Sequence, residues 1–243
     1  MKKLLGLLAC LFYATTSFSA TVEEDVARYV GIFNGSAGLH SDAADTFSWM
    51  GLSDPRIFDI IEKRLLADAP ASRNDKVEKN RVARYIRALG FSGQAKYIPT
   101  INQFVSDDVY ERYAKTALLE LPQYQKWNPI IANRANFDPK LSDDANRVIN
   151  MLRADDFLLK RVGAKRVYFK HQEPEVLEVT AKELRANYAK ATHDSSDAIA
   201  WMAKGLGQAR VEKYRPLLQE VAANAQDPHV IKHTNAALEK YGK

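Results

Sequence analysis

Few residues in this sequence have the types and spacing that chemistry requires. His229 and His233 stand four positions apart, which on a helix puts both imidazoles on one face, with Asp227 close enough to join a zinc-type donor set. The residues between them, Val230-Ile231-Lys232, lack the glutamate that acts as general base in a His-Glu-x-x-His helix, so the pair reads as helix surface and no metal is expected. Gly205-Leu206-Gly207 imitates the start of a dinucleotide fingerprint but has neither a third glycine nor a preceding strand, and is expected to be a turn between helices. In Gly35-Ser36-Ala37-Gly38 and Gly90-Phe91-Ser92-Gly93 the second glycine is misplaced for a nucleophile elbow. The single cysteine, Cys10, lies in the apolar leader. No catalytic residue and no cofactor are expected, and the chain does not read as an enzyme.

Charge is the more informative feature. Lys160, Arg161, Lys165, Arg166 and Lys170 cluster around Tyr168 and precede His171, and a second group joins Lys76 and Lys79 to Arg81, Arg84 and Arg87. As binding residues these would serve an anionic partner: an acidic protein face, a lipid headgroup or an envelope polymer. The competing reading is a solvated helix face, because Glu173, Glu175 and Glu178 follow directly. The two readings separate on geometry. Lys165, Arg166 and Lys170 pointing into a groove beside Arg81 and Arg84 favour the anionic ligand; the same residues fanning outward to meet Glu173 or Glu178 disfavour it. Trp49, Trp127 and Trp201 read as inter-helix packing, although a tryptophan on a concave face is a natural anchor.

The elements that position these residues are helical throughout. Val26, Tyr29, Val30 and Phe33 follow the i, i+3, i+4, i+7 rule, as do Ile57, Ile60, Ile61 and Leu65, and Val82, Tyr85, Ile86 and Leu89. The one β-branched and aromatic cluster, Val167-Tyr168-Phe169, is short and is expected to be helical. Brief breakers such as Asp54-Pro55, Gly90 to Gly93, Glu173-Pro174 and Asp227-Pro228 predict antiparallel helix pairs. Pro55, Pro99, Pro129, Pro174 and Pro216 are expected to open second helices, where the missing N–H costs nothing. The long small-residue stretch Asn34 to Asp45 is expected to be a loop over one edge.

The pairs also repeat. Lys96-Tyr97-Ile98-Pro99, Lys126-Trp127-Asn128-Pro129 and Lys213-Tyr214-Arg215-Pro216 share Lys, an aromatic, any residue, then Pro. Leu89-Gly90 and Leu206-Gly207 precede the first and last at a common offset of 117 residues, and Ala117-Leu118 finds its counterpart in Ala237-Leu238 after a three-residue insertion. This is an internal duplication. With Arg87-Ala88-Leu89-Gly90, Tyr97-Ile98-Pro99, Tyr214-Arg215-Pro216 and the Asp227-Pro228 start, the chain resembles the HEAT-repeat family, specifically over 81–135 and 195–243. The resemblance implies an all-α fold, an α-solenoid of about five or six antiparallel helix pairs. It also implies a scaffold or adaptor that binds a protein or peptide on a concave face lined by the second helices.

Composition fits this reading and adds an address. The 243 residues are 46% hydrophobic and 27% charged with 11 Gly and 9 Pro, close to an ordinary globular average. Met1-Lys2-Lys3, an apolar run from Leu4 to Ala14 and small residues to Ala20 predict a secretory signal peptide over 1–20, too short to span a membrane. The expected organisation is therefore 1–20 signal, 21–54 N-terminal cap and loop, and 55–243 repeats, in a periplasmic or secreted bacterial protein without a transmembrane segment. Acidic Glu23-Glu24-Asp25 is expected to face outward as part of the cap. Loss of Lys2 and Lys3 takes the net charge from +5 to +3, a weak field, and export removes the chain from DNA, so no DNA partner is expected.

Overall fold

The computed structural model describes residues 21–242, and the signal peptide expected over 1–20 lies outside the described residues. Every regular element among them is helical. Twelve α-helices follow in order: α1 (Val22–Asn34), α2 (His40–Met50), α3 (Pro55–Asp68), α4 (Lys76–Phe91), α5 (Ile98–Asn102), α6 (Glu111–Ile131), α7 (Asp143–Arg153), α8 (Phe157–Phe169), α9 (Pro174–Asn187), α10 (His193–Ala209), α11 (Arg215–Asn224) and α12 (Pro228–Leu238).

Local chemistry starts most of these helices. Asp54, Asp75, Ser142, Asp156 and Asp227 each accept hydrogen bonds from first-turn amides, satisfying donors that the helix leaves free. Thr21 and Glu24 form a reciprocal capping box on α1. Thr192 caps α10, with Ser195 reaching back. Proline occupies the first turn of α3, α5, α9, α11 and α12. Pro129 is the exception, because it lies inside α6, as does Pro122. Tertiary bonds hold that turn in place: Trp127 Nε1 donates to Asp156 at 2.9 Å, and Asn128 Nδ2 donates to the carbonyls of Phe91 and Ser92. They offset the hydrogen bond that proline removes.

Consecutive helices pair as α1/α2, α3/α4, α5/α6, α7/α8, α9/α10 and α11/α12, giving an α-solenoid of six pairs. Odd helices form one layer and even helices the other. The duplicated motifs prove to be contacts between neighbouring pairs. A Cβ on Gly90 of α4 would lie 2.8 Å from the carbonyl oxygen of Ala117 in α6, and one on Gly207 of α10 would lie 2.5 Å from Ala237 Cβ in α12. Leu89 and Leu206 are fully buried beside them. Leu89-Gly90 and Gly205-Leu206-Gly207 are thus helical close-approach points and not turns. Each Lys-Tyr-x-Pro copy repeats a further device: Tyr97 and Lys96 both bond Asp59 on α3, and Tyr214 and Lys213 both bond Glu178 on α9. Trp127 has no such partner pair, so the third copy serves a different junction.

Two N-terminal expectations are corrected. Asn34 to Asp45 holds a 3-10 turn and the first half of α2, because His40 is fully buried: its Nδ1 lies 2.5 Å from Tyr85 Oη and its Nε2 3.0 Å from the Ile32 carbonyl. Asp25 does not face outward. It is 4% exposed and meets Arg147 of α7 at 2.5 Å and Arg134 at 3.7 Å. The first pair therefore touches the fourth. Gly51, at φ 70, lets the chain after α2 pass against Ile131 at the end of α6, and Tyr124 Oη donates to the Ser48 carbonyl at 3.0 Å. The solenoid winds tightly enough to bring α2, α6, α7 and α8 together.

Candidate functional site

That winding leaves a groove of ≈ 670 Å³ walled by α2, α4, α6 and α8. The walls are the even helices, the second of each pair, whereas Pro55, Pro99, Pro174 and Pro216 open odd helices and not the second helices expected of them. α8 supplies most of the charge. Arg161 and Lys165 stand four apart, as do Val162, Arg166 and Lys170, so two adjacent stripes share one helix face and all five residues line the groove. Leu159, Gly163 and Val167 form the opposite, buried face. Asp45, Trp49, Arg87, Glu120 and Tyr124 come from the other three helices.

The basic clusters read from sequence therefore divide. Arg87, Arg161, Lys165, Arg166 and Lys170 meet in the groove. Arg84 borders an adjoining recess of ≈ 220 Å³ with Asn80, Tyr113, Arg87 and Asp45, and its Nε lies 2.8 Å from Asp45. Lys160 is on the wrong side of α8 to join them: it is 5% exposed, and its Nζ bonds the Leu152 carbonyl at 2.7 Å and Glu183 at 2.5 Å. Arg81 is likewise buried and is held by Glu78 and by Asp68 at 3.4 Å. Both are structural cations. One helical step of about 100° separates Lys160 from Arg161, and neighbours in sequence thereby lie on different sides of the helix.

The groove cations are only partly answered. Arg161 lies 3.3 Å from Asp197, and Arg87 lies 4.0 Å from Glu120. Lys165, Arg166 and Lys170 have no carboxylate within ion-pair reach among the described residues; the neighbouring Glu178 is taken by Lys213 and Glu173 by His171. Arg166 instead lies over the Trp49 ring, 4.1 Å from its centroid, with Nη2 3.5 Å from His171 Nε2 and its Nε buried without a partner. Burial lowers the pKa of Arg166, and burial followed by the nearby Arg161 charge lowers that of Lys165. Glu120 is pushed up by burial, against the pull of Arg87 and Arg161. Burial also holds His171 below its usual range, with Glu173 opposing. Partly desolvated cations without counter-charge are complementary to an incoming anion, which restores the lost electrostatic stabilisation.

Trp49 is the tryptophan that lines the groove; Trp127 packs inside, and Trp201 lies on α10 beneath Lys204. Asp45, Glu120 and Tyr124 escaped the sequence reading because nothing local marks them, and they reach the groove only through the packing of α2 and α6 on α8. His229 and His233 meet edge-to-face with ring centroids 4.4 Å apart, and His229 Nε2 lies 3.6 Å from Asp197. Among the described residues no three His, Cys, Asp or Glu side chains assemble a metal site. No helix among them is long and apolar enough to cross a membrane.

The chain matches no model of a known protein family and no curated protein. Among solved structures it is similar to human deoxyhypusine hydroxylase in complex with glycerol, with a TM-score of 0.38 and 15% sequence identity over 90% of this chain and 85% of that one.

Proposed function

We propose that the protein is an exported, non-enzymatic HEAT-like scaffold that holds an acidic segment of a partner protein in the groove between α2, α4, α6 and α8. The observation that carries this reading is the convergence of Lys165, Arg166 and Lys170 with Arg87 and Arg161 on one cavity, the first three without a carboxylate. Arginine contributes three of the five cations, and its planar fork matches carboxylates in two-point contacts. Trp49 and Tyr124 add apolar wall, which suits a peptide carrying an aromatic or aliphatic residue among its acids.

Fluorescence anisotropy with a labelled peptide rich in Glu and Asp tests the reading. Binding is expected at low salt and should weaken steeply as salt rises. Lys165→Glu combined with Arg166→Glu should lower the affinity at least roughly tenfold. No binding to the parent protein, or equal binding to the double variant, would refute it. The cations continue through Arg84 into the adjoining recess, and this favours a second reading, an anionic envelope polymer; polyphosphate displacing the peptide at equal charge concentration would support the polymer.

A further inference from the structure

Phe169, the last residue of α8, is 70% exposed and is the only exposed aromatic side chain among the described residues. Tyr168 meets it edge-on at 4.9 Å, and Trp201 of α10 lies 6.1 Å away, both half-buried. Lysines cap two of these rings, Trp201 and Tyr168. Lys204 Nζ stands 3.4 Å above Trp201, Lys165 Nζ stands 5.2 Å from the same ring, and Lys240 Nζ lies 4.8 Å from Tyr168. Lys170 follows Phe169 directly. None of these four lysines is within ion-pair reach of a carboxylate among the described residues. The acids of the adjacent helices are engaged elsewhere, Asp197 with Arg161 and His229, Glu183 with Lys160 and Glu178 with Lys213.

We propose that this patch is a peripheral contact with an anionic bilayer, Phe169 entering the headgroup boundary while the four lysines lie over lipid phosphates. Charge complementarity selects this occupant. The groove presents arginine forks suited to carboxylates, whereas every cation of the patch is lysine, a mobile point charge on a long apolar stem. Such stems lie along aromatic rings while the ammonium reaches polar headgroups. Tryptophan and tyrosine favour the same boundary, with the ring in the apolar zone and the polar edge in the headgroups. A projecting phenylalanine beside lysine-capped rings has the form of a prong with a basic flank, which a deformable lipid surface accepts without a matching pocket. With no spanning helix among the described residues, the contact is interfacial.

Phe169, Lys204 and Lys240 do not line the groove, so the two surfaces can be tested apart. Flotation with phosphatidylcholine vesicles, with and without phosphatidylglycerol, gives the readout. The protein is expected to float only with the anionic vesicles. Phe169→Ala should lower its partition coefficient roughly tenfold, and Lys204→Gln and Lys240→Gln roughly fivefold each. Binding of the acidic peptide by the Phe169→Ala protein should match the parent, which also reports that the variant is folded. Failure to float with anionic vesicles, equal flotation with neutral ones, or undiminished flotation of Phe169→Ala would each overturn the proposal.

Discussion

The halves α1–α6 and α7–α12 share a skeleton and differ in their even-helix face. In both, a glycine near the end of the middle even helix admits an alanine of the next one, and a Lys-Tyr pair clamps a carboxylate on the preceding odd helix. In the first half, Arg84 lies 2.8 Å from Asp45 and Arg87 lies 4.0 Å from Glu120. The second half presents Lys165, Arg166, Lys170, Lys204 and Lys240 without carboxylates. Contacts between stacked pairs tolerate little change because backbone meets backbone there, while a face that only meets solvent is free to diverge. Function is therefore expected where the copies differ and stability where they agree.

The largest effect should come from the link that makes the halves one body. Asp25→Asn leaves the buried Arg147 with Asp144 at 3.0 Å and a distant Asp143, and should cost about 3 kcal/mol in urea unfolding. A loss under about 1 kcal/mol would mean that the pair behaves like a surface bridge and that the halves are only loosely joined. Next come the paired glycines. Gly90→Ala and Gly207→Ala each drive a Cβ into backbone of the neighbouring helix, and overpacking should outweigh alanine's helical preference to leave a loss of about 2 kcal/mol at either site. Unequal losses would break the equivalence of the copies.

The smallest effect concerns the clamps. Tyr97→Phe and Tyr214→Phe should each cost about 1 kcal/mol, since each removes one hydrogen bond to a carboxylate. Bonds from Lys96 and then Tyr97 hold Asp59 below its ordinary 3.8, and bonds from Lys213 and then Tyr214 hold Glu178 below 4.5. A depressed carboxylate stabilises the fold above the unfolded-state value and loses that contribution as pH falls through the folded one. The difference between the parent and a Lys96→Met, Lys213→Met double variant should therefore be full at neutral pH and shrink as pH drops below these values. A pH-independent difference would show that the lysines act by packing over Tyr97 and Tyr214 alone.

Much of the architecture is legible in the sequence. The 3.6-residue periods located α1, α3 and α4, and Val167-Tyr168-Phe169 is helical as expected. The duplicated Leu-Gly and Lys-Tyr-x-Pro motifs marked real contacts, though not the turns assigned to the glycines, because a glycine at a close crossing and a glycine at a helix end look alike in sequence. α2 was missed for a related reason: its stretch opens with small residues, and the burial of His40 depends on Tyr85 forty-five positions later. The basic residues of the groove, Arg87 and the α8 cations, stand out in the sequence, but the groove itself does not. Lys160 and Arg81 were misgrouped with them because linear clustering ignores the turn of the helix.

Helix starts, periods and the internal repeat depend on interactions within a few residues, or on one motif written twice, and so can be read along the chain. The groove has another origin. It exists because the three crossings between the first four pairs add up to bring α2 back against α7 and α8, placing Trp49 under Arg166 and Asp25 against Arg147, 122 residues away. No local pattern encodes that sum, since each crossing is set by the side chains that meet there, Gly90 on Ala117 among them. The cations are written in the sequence, but the absence of a carboxylate beside them arises from the packing.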